Sequence, residues 1–179
     1  MKNIICLDIE NTIIDDLQTC NFIEENCEKI KRLIDSKRNE LFALVFNTWG
    51  WATADEIDMN IINRILIKLG FDPSNMGCEC RIFTKEFSVD TAIKAGWLNK
   101  DDKARALFPG MMLEFGISKI SCFYEFMRSV PKLWLSLAGA TAKNPVVVTM
   151  VDDLVEKTEI QCYHDNKLFA AIVNPTELA

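Results

Sequence analysis

The stretch IICLDIENT, residues 4–12, decides how the rest of the chain is read. Four apolar residues, 4–7, run straight into Asp8, with Glu10 and Thr12 following at alternate positions. The run is too short and too rich in β-branched isoleucine for a helix, so it predicts a short buried strand. A carboxylate at the end of a buried strand loses hydration and must find a cation, hydrogen-bond donors or a proton. Those partners have to come from other parts of the chain.

Further apolar runs follow. LFALVF (41–46), CRIFTK (80–85), PVVVTMV (145–151) and LFAAIV (168–173) each read as a strand. Between the first two strands, residues 13–38 place Ile13, Leu17, Ile23, Cys27 and Ile30 on a rough helical stripe with basic residues near its end, which predicts a helix. Thr53 opens TADE, a capping-box pattern, and predicts a helix over 54–69 carrying Ile57, Ile61, Ile65 and Leu69 on one side. SKISCFYEFMRSV, 118–130, predicts another helix. Residues 86–117 are more polar, with an NKDDK run and a Pro-Gly pair, and read as an irregular or helical excursion. Strands that are continuous apolar runs and alternate with helices predict an α/β fold: a three-layer sandwich around a central parallel sheet, in one domain spanning 1–179. Ligands of such folds bind at the carboxyl ends of strands. Three strands end there in polar groups: Asp8 and Glu10, Asn47 and Thr48, Asp152 and Asp153.

The bulk composition narrows the classes. A net charge of −6 argues against a broad basic surface, so duplex nucleic acid is not an expected partner. No stretch approaches the roughly 20 apolar residues that cross a bilayer, and the polar start is unlike a signal peptide. Seven cysteines, an odd number, favour free thiols and a cytoplasmic location. The Cys78-Glu79-Cys80 pair has no second ligand pair at zinc-finger spacing. A single histidine, His164 in the turn-like YHDNK, leaves little for a scheme built on a Ser-His or Cys-His pair. Nothing in the sequence bears on the oligomeric state.

DIENT, residues 8–12, resembles the D-x-D-x-T signature of the haloacid dehalogenase (HAD) superfamily, and it follows an apolar first strand as that signature does. Thr48 after LVFN resembles the second motif, a Thr or Ser at the end of the next strand. Lys119, opening a helix ahead of the strongest strand, resembles the third. VVVTMVDDLVE resembles the fourth, with Asp152 and Asp153 as a D-D form, or with Glu156 as the last acid of a D-x-x-x-D form. Lys132 and Lys143 also precede that strand, and Lys143 is the next choice for the lysine role.

The resemblance implies an Mg²⁺-dependent phosphatase that works through an aspartyl-phosphate. Asp8 would attack phosphorus, and Glu10 would protonate the leaving oxygen and then deprotonate water. Thr48 would hold the phosphoryl oxygens, and Lys119 would neutralise charge. Asp8, the Glu10 main-chain carbonyl, Asp152 and Asp153 would hold the metal. Asn47, Trp49 and Lys143 would meet the substrate, a phosphorylated small molecule or nucleotide; Trp49 and Trp51 either stack on a ring or pack beneath the helix 54–69. Space for a cap domain is lacking between Asp8 and Thr48, and 86–117 is long enough only for a small lid. The chain departs from the family where Glu10 replaces the usual Asp and Asn11 a frequent Gly. Two other readings follow from these departures: a HAD-like binding or regulatory module with weak or lost turnover, and a HAD enzyme acting on non-phosphate bonds. The bland alternatives are solvated loop acids, a turn threonine and acids favoured by a helix amino end.

Overall fold

The computed structural model describes all of residues 1–179. Six strands form one sheet: β1 (Lys2–Leu7), β2 (Leu41–Asn47), β3 (Glu79–Phe83), β4 (Val146–Val151), β5 (Glu159–Tyr163) and β6 (Leu168–Val173). Their spatial order is β3-β2-β1-β4-β6-β5, and every pairing is parallel except β5 with β6. The chain steps one way from β1 to β2 and β3, then crosses back to β4 on the other side of β1. The carboxyl ends of β1 and β4 therefore flank a topological switch point, where the connections diverge and leave a crevice.

Helices cover both faces. On one, α1 (Glu24–Lys37) and α2 (Met59–Lys68) bury Cys27, Ile30, Ile34, Ile62 and Ile65 at helical spacing against Ile5, Leu7, Leu44 and Phe46 of the sheet. The other face carries α6 (Lys119–Ser129) and α7 (Lys132–Leu137), packed on Cys6, Val45, Val148 and Met150. The excursion predicted at 86–117 is mostly helical. It contains α3 (Lys85–Lys94), α4 (Lys103–Ala106) and α5 (Met111–Glu114), and their buried residues share a third, smaller core.

Three expectations need correction, and two elements were not expected. The helix predicted over 13–38 begins only at Glu24. Asp15 accepts the N–H groups of Asp16 and Asn21, and Asp16 those of Gln18 and Thr19, so the acids satisfy the backbone in a loop and compete with the helix. The helix predicted from residue 54 begins at Met59, capped by Asp58, whose side chain accepts the Asn60 N–H at 2.9 Å. Glu56 reaches back to the Ala52 N–H rather than to Thr53, so the capping box does not close. Strand β5 and helix α7 have no counterpart in the reading above. The edge strand β5 is almost wholly exposed and lacks the apolar run that marks the others. Its hairpin with β6 turns through His164, Asp165 and Asn166, all at positive φ.

Candidate active site

Asp8 is the first residue beyond β1 and Asp152 the first beyond β4, and the register pairs Leu7 with Val151 immediately before them. The Asp8 N–H donates to the Val151 carbonyl at 2.9 Å, which extends the ladder and locks the two acids side by side. Side chains alternate along a strand, so Asp8 lies on the face of Cys6 and Asp152 on the face of Met150. That is the face α6 covers. Lys119 opens α6 behind the cap residue Ser118, whose hydroxyl accepts the Ser121 N–H. Its Nζ lies 2.6 Å from Asp8 Oδ1 and 2.8 Å from Asp152 Oδ2, and all three residues are buried.

Burial pushes the Asp8 carboxyl up to about 7, with Asp152 adding to the rise and Lys119 opposing it. Burial by itself would lower the Lys119 ammonium, but the two aspartates outweigh it and hold the lysine charged. Asp153, half-buried, completes a cluster in which carboxylate oxygens of Asp8, Asp152 and Asp153 all lie within 4.8 Å of one another. Three carboxylates thus face one ammonium, an excess of negative charge that a divalent cation would neutralise.

Two oxygens point the same way. Asp152 Oδ2 is buried and meets only the Lys119 ammonium, which leaves it a lone pair, and the Glu10 carbonyl accepts no backbone hydrogen bond. An all-oxygen set with spare lone pairs fits Mg²⁺.

Thr12 ties this cluster together. Its hydroxyl donates to Asp8 Oδ2 at 3.2 Å and accepts the Asp153 N–H at 3.2 Å, and the residue is fully buried. Its position is fixed by the loop that follows Asp8, where Asn11 takes φ 59°. Glycine and asparagine tolerate that left-handed region best, which gives a physical reason for Asn where the resembled family often has Gly.

Comparisons with profiles of known protein families, with curated proteins and with solved structures found no match.

At the end of the second strand Asn47 and Thr48 are both buried; Asn47, expected to meet the substrate, lines a cavity beneath α3 and α6 instead of the cleft beside Glu10. The Thr48 hydroxyl accepts the Gly50 N–H at 3.0 Å, which fixes the turn after β2. Glu10 lies outside the carboxylate cluster. Its Oε2 is 3.4 Å from the Leu17 N–H, and its Oε1 is so close to Gly50 that a Cβ there would come within 2.5 Å. Glu10 instead lines a cleft of about 610 Å³ with Trp49, Gly50, Thr53, Lys85 and Phe108. One wall of this cleft is the 104–110 part of the excursion.

The sequence reading placed Lys143 wrongly, and of its two readings of Trp51 the packed one holds. Lys143 is exposed on the loop before β4, at the amino end of the strand whose carboxyl end carries Asp152, so it does not share the site. Trp51 is buried in the core beneath α1 and α2 and cannot stack on a ligand. Trp49 is half-buried, with its indole N–H donated to Ser88 Oγ at 2.9 Å, and keeps a place on the cleft. Lys132 and Glu156 are exposed. Two residues not assigned from sequence also belong here. Thr12 stood within the DIENT motif but had no role attached. Lys85, buried on the cleft and donating to the Leu107 and Phe108 carbonyls, carries no motif that could have marked it.

Proposed function

We propose that the chain is an Mg²⁺-dependent phosphohydrolase of HAD type that forms an aspartyl-phosphate on Asp8. The observation that carries this reading is the meeting of Asp8, Asp152 and Lys119 at the switch point, with Asp153 completing an oxygen-rich set. The strand order, with β1 between β2 and β4, supports a HAD-like form of the fold.

Asp8, the Glu10 carbonyl, Asp152 and Asp153 would hold the metal. When bound, it would supply positive charge that offsets the repulsion between the attacking carboxylate and the phosphoryl group. An Asp8 oxygen attacks phosphorus and the P–O ester bond breaks. Glu10 gives its proton to the departing oxygen. Glu10, now ionised, takes a proton from water as the water attacks phosphorus, which releases inorganic phosphate and frees Asp8. Lys119 neutralises charge on Asp8 and the transferring group, and the Thr48 hydroxyl orients the phosphoryl oxygens. The 610 Å³ cleft, walled by Trp49 and Phe108 beside Glu10, admits the organic part of a phosphate monoester, and an aromatic ring as in a nucleotide suits these walls.

A second reading has support in the position of the Glu10 carboxylate, held toward Gly50 and Leu17 rather than among the aspartates. On this reading the chain accepts a phosphoryl group on Asp8 but releases it slowly. The deciding experiment is p-nitrophenyl phosphate turnover with and without Mg²⁺ in wild type, Asp8→Asn and Glu10→Gln. Metal-dependent turnover lost in Asp8→Asn supports the hydrolase. A stable acid-quenched phosphoprotein with no turnover supports the second reading. No activity and no phosphoprotein on a phosphate-ester panel sinks both.

A further inference from the structure

Behind the aspartates, between the sheet and the α3, α6 and α7 layer, lies a cavity of about 460 Å³. Eighteen of its 23 lining residues are hydrophobic, so water would find few partners within it. The opposite face of the sheet, under α1 and α2, is packed with fully buried isoleucines and leucines. The gap is thus particular to one layer. At one end the rings of Phe83 and Phe87 stack 4.0 Å apart, with Phe126 edge-on to both. At the mouth Phe42 and Trp134 are exposed, although both line the cavity.

Five polar residues line it: Glu79 and Arg81, exposed and paired with each other at 3.1 Å, and a buried corner made by Asn47, Ser88 and Thr91, each more than nine-tenths buried. Asn47 Oδ1 has no hydrogen-bond partner, and Asn47 Nδ2 reaches only the Met150 sulfur at 3.9 Å. Ser88 Oγ accepts the Trp49 indole N–H and makes no other hydrogen bond. A buried carbonyl oxygen left without a donor is costly, and natural interiors rarely tolerate one. Apart from the exposed Glu79–Arg81 pair, the rest of the cavity offers apolar wall.

We infer that this cavity is a binding site for an apolar small molecule with a single hydroxyl head, a medium-chain aliphatic alcohol in chemical class. The chain lies along the phenylalanine-rich wall, and the hydroxyl is both donor and acceptor. It donates to Asn47 Oδ1 and accepts from the Ser88 hydroxyl. At about 30 Å³ per atom the volume holds on the order of 15 non-hydrogen atoms. Pockets of this size lined by apolar groups with a few convergent polar ones are the usual form of small-molecule sites. The head sits directly behind Thr48 and Trp49, but binding does not depend on any reaction at Asp8.

The test is calorimetric titration of the full chain with 1-decanol and with 1-methoxynonane, which has the same number of non-hydrogen atoms but no O–H. Decanol is expected to bind saturably, one molecule per chain, with the ether about tenfold weaker. Ala43→Phe, which fills the sheet wall, is expected to weaken decanol about tenfold while the far-ultraviolet circular dichroism stays native. If that variant does not fold, Ala138→Phe fills the cavity from the residue that follows α7. The inference fails if decanol shows no saturable binding up to its solubility limit. It also fails if ether and alcohol bind equally, or if neither filled variant weakens binding. Loss of binding as copies associate at higher protein concentration would assign the mouth to a second copy of the chain, and would likewise overturn it.

Discussion

Lys119 Nζ stands 2.6 Å from Asp8 Oδ1 within the sheet–helix interface, and the same ammonium touches Asp152 at 2.8 Å. A helix that begins after the excursion thereby holds together the ends of two strands. Removing the cation would leave two buried carboxylates facing each other. Lys119→Met is expected to lose about 3–5 kcal/mol of unfolding free energy in urea without metal. Adding Asp8→Asn should recover a substantial part, because the repulsion goes with the charge. Purely additive losses would contradict the coupling.

The raised Asp8 carboxyl makes metal binding depend on pH. Below about 7 the folded, metal-free chain keeps a proton on Asp8, and Lys119 is balanced by Asp152. Mg²⁺ must displace that proton, so its affinity should fall about tenfold for each pH unit below 7 and level off above it. The sign for stability is the reverse of the common carboxylate case. The folded state binds more protons than the unfolded between the ordinary Asp value of 3.8 and about 7. Metal-free stability should therefore decline as pH rises through that window. Calorimetric Mg²⁺ titrations and urea melts from pH 5 to 8.5 read both effects, and a flat profile would refute the Asp8 assignment.

Thr12→Val keeps the shape and removes the hydroxyl that joins Asp8 to the Asp153 N–H. Leaving that buried N–H and carboxylate without their partner should cost about 1–3 kcal/mol. Thr12→Ser should restore much of it. Mg²⁺ affinity should fall in parallel, because Asp153 is no longer held in place. Unchanged affinity in Thr12→Val would remove Asp153 from the metal site.

Gly50→Ala tests Glu10 without touching it. The added Cβ would come within 2.5 Å of Glu10 Oε1 and 2.6 Å of Leu17 Cδ1, so the flexible carboxylate must move. A displacement of about 1 Å at a proton-transfer group can cost on the order of a hundredfold in rate. Phosphatase turnover should fall far more than Mg²⁺ affinity. Equal losses in both would show that Glu10 acts only on the metal.

Lys143→Ala is the contrasting case. Its side chain is exposed at the amino end of β4, so turnover and Mg²⁺ affinity should stay within about twofold of wild type, as for surface substitutions away from a site. A large loss would require a different arrangement of the chain from the one described.

The carboxylates at the ends of β1 and β4 are readable from sequence because an acid directly after an apolar run is costly unless something completes it. For the same reason the strands and the mainly parallel sheet are readable in their continuous apolar runs. The loop over 8–23 is not, because Asp15 and Asp16 read equally well as solvent-facing helix residues until their hydrogen bonds are traced. Strand β5 escapes because an exposed edge strand needs no apolar run.

By itself the sequence determined which segments must be buried and which of them end in acids, since burial and local hydrogen bonding are properties of neighbouring residues. Only the tertiary structure decided which lysine reaches Asp8, that Trp49 rather than Trp51 faces the cleft, and that Thr12 joins two motifs. Those choices depend on the order of strands and the side of the sheet on which each helix packs, and three lysines before one strand carry no local signal that separates them.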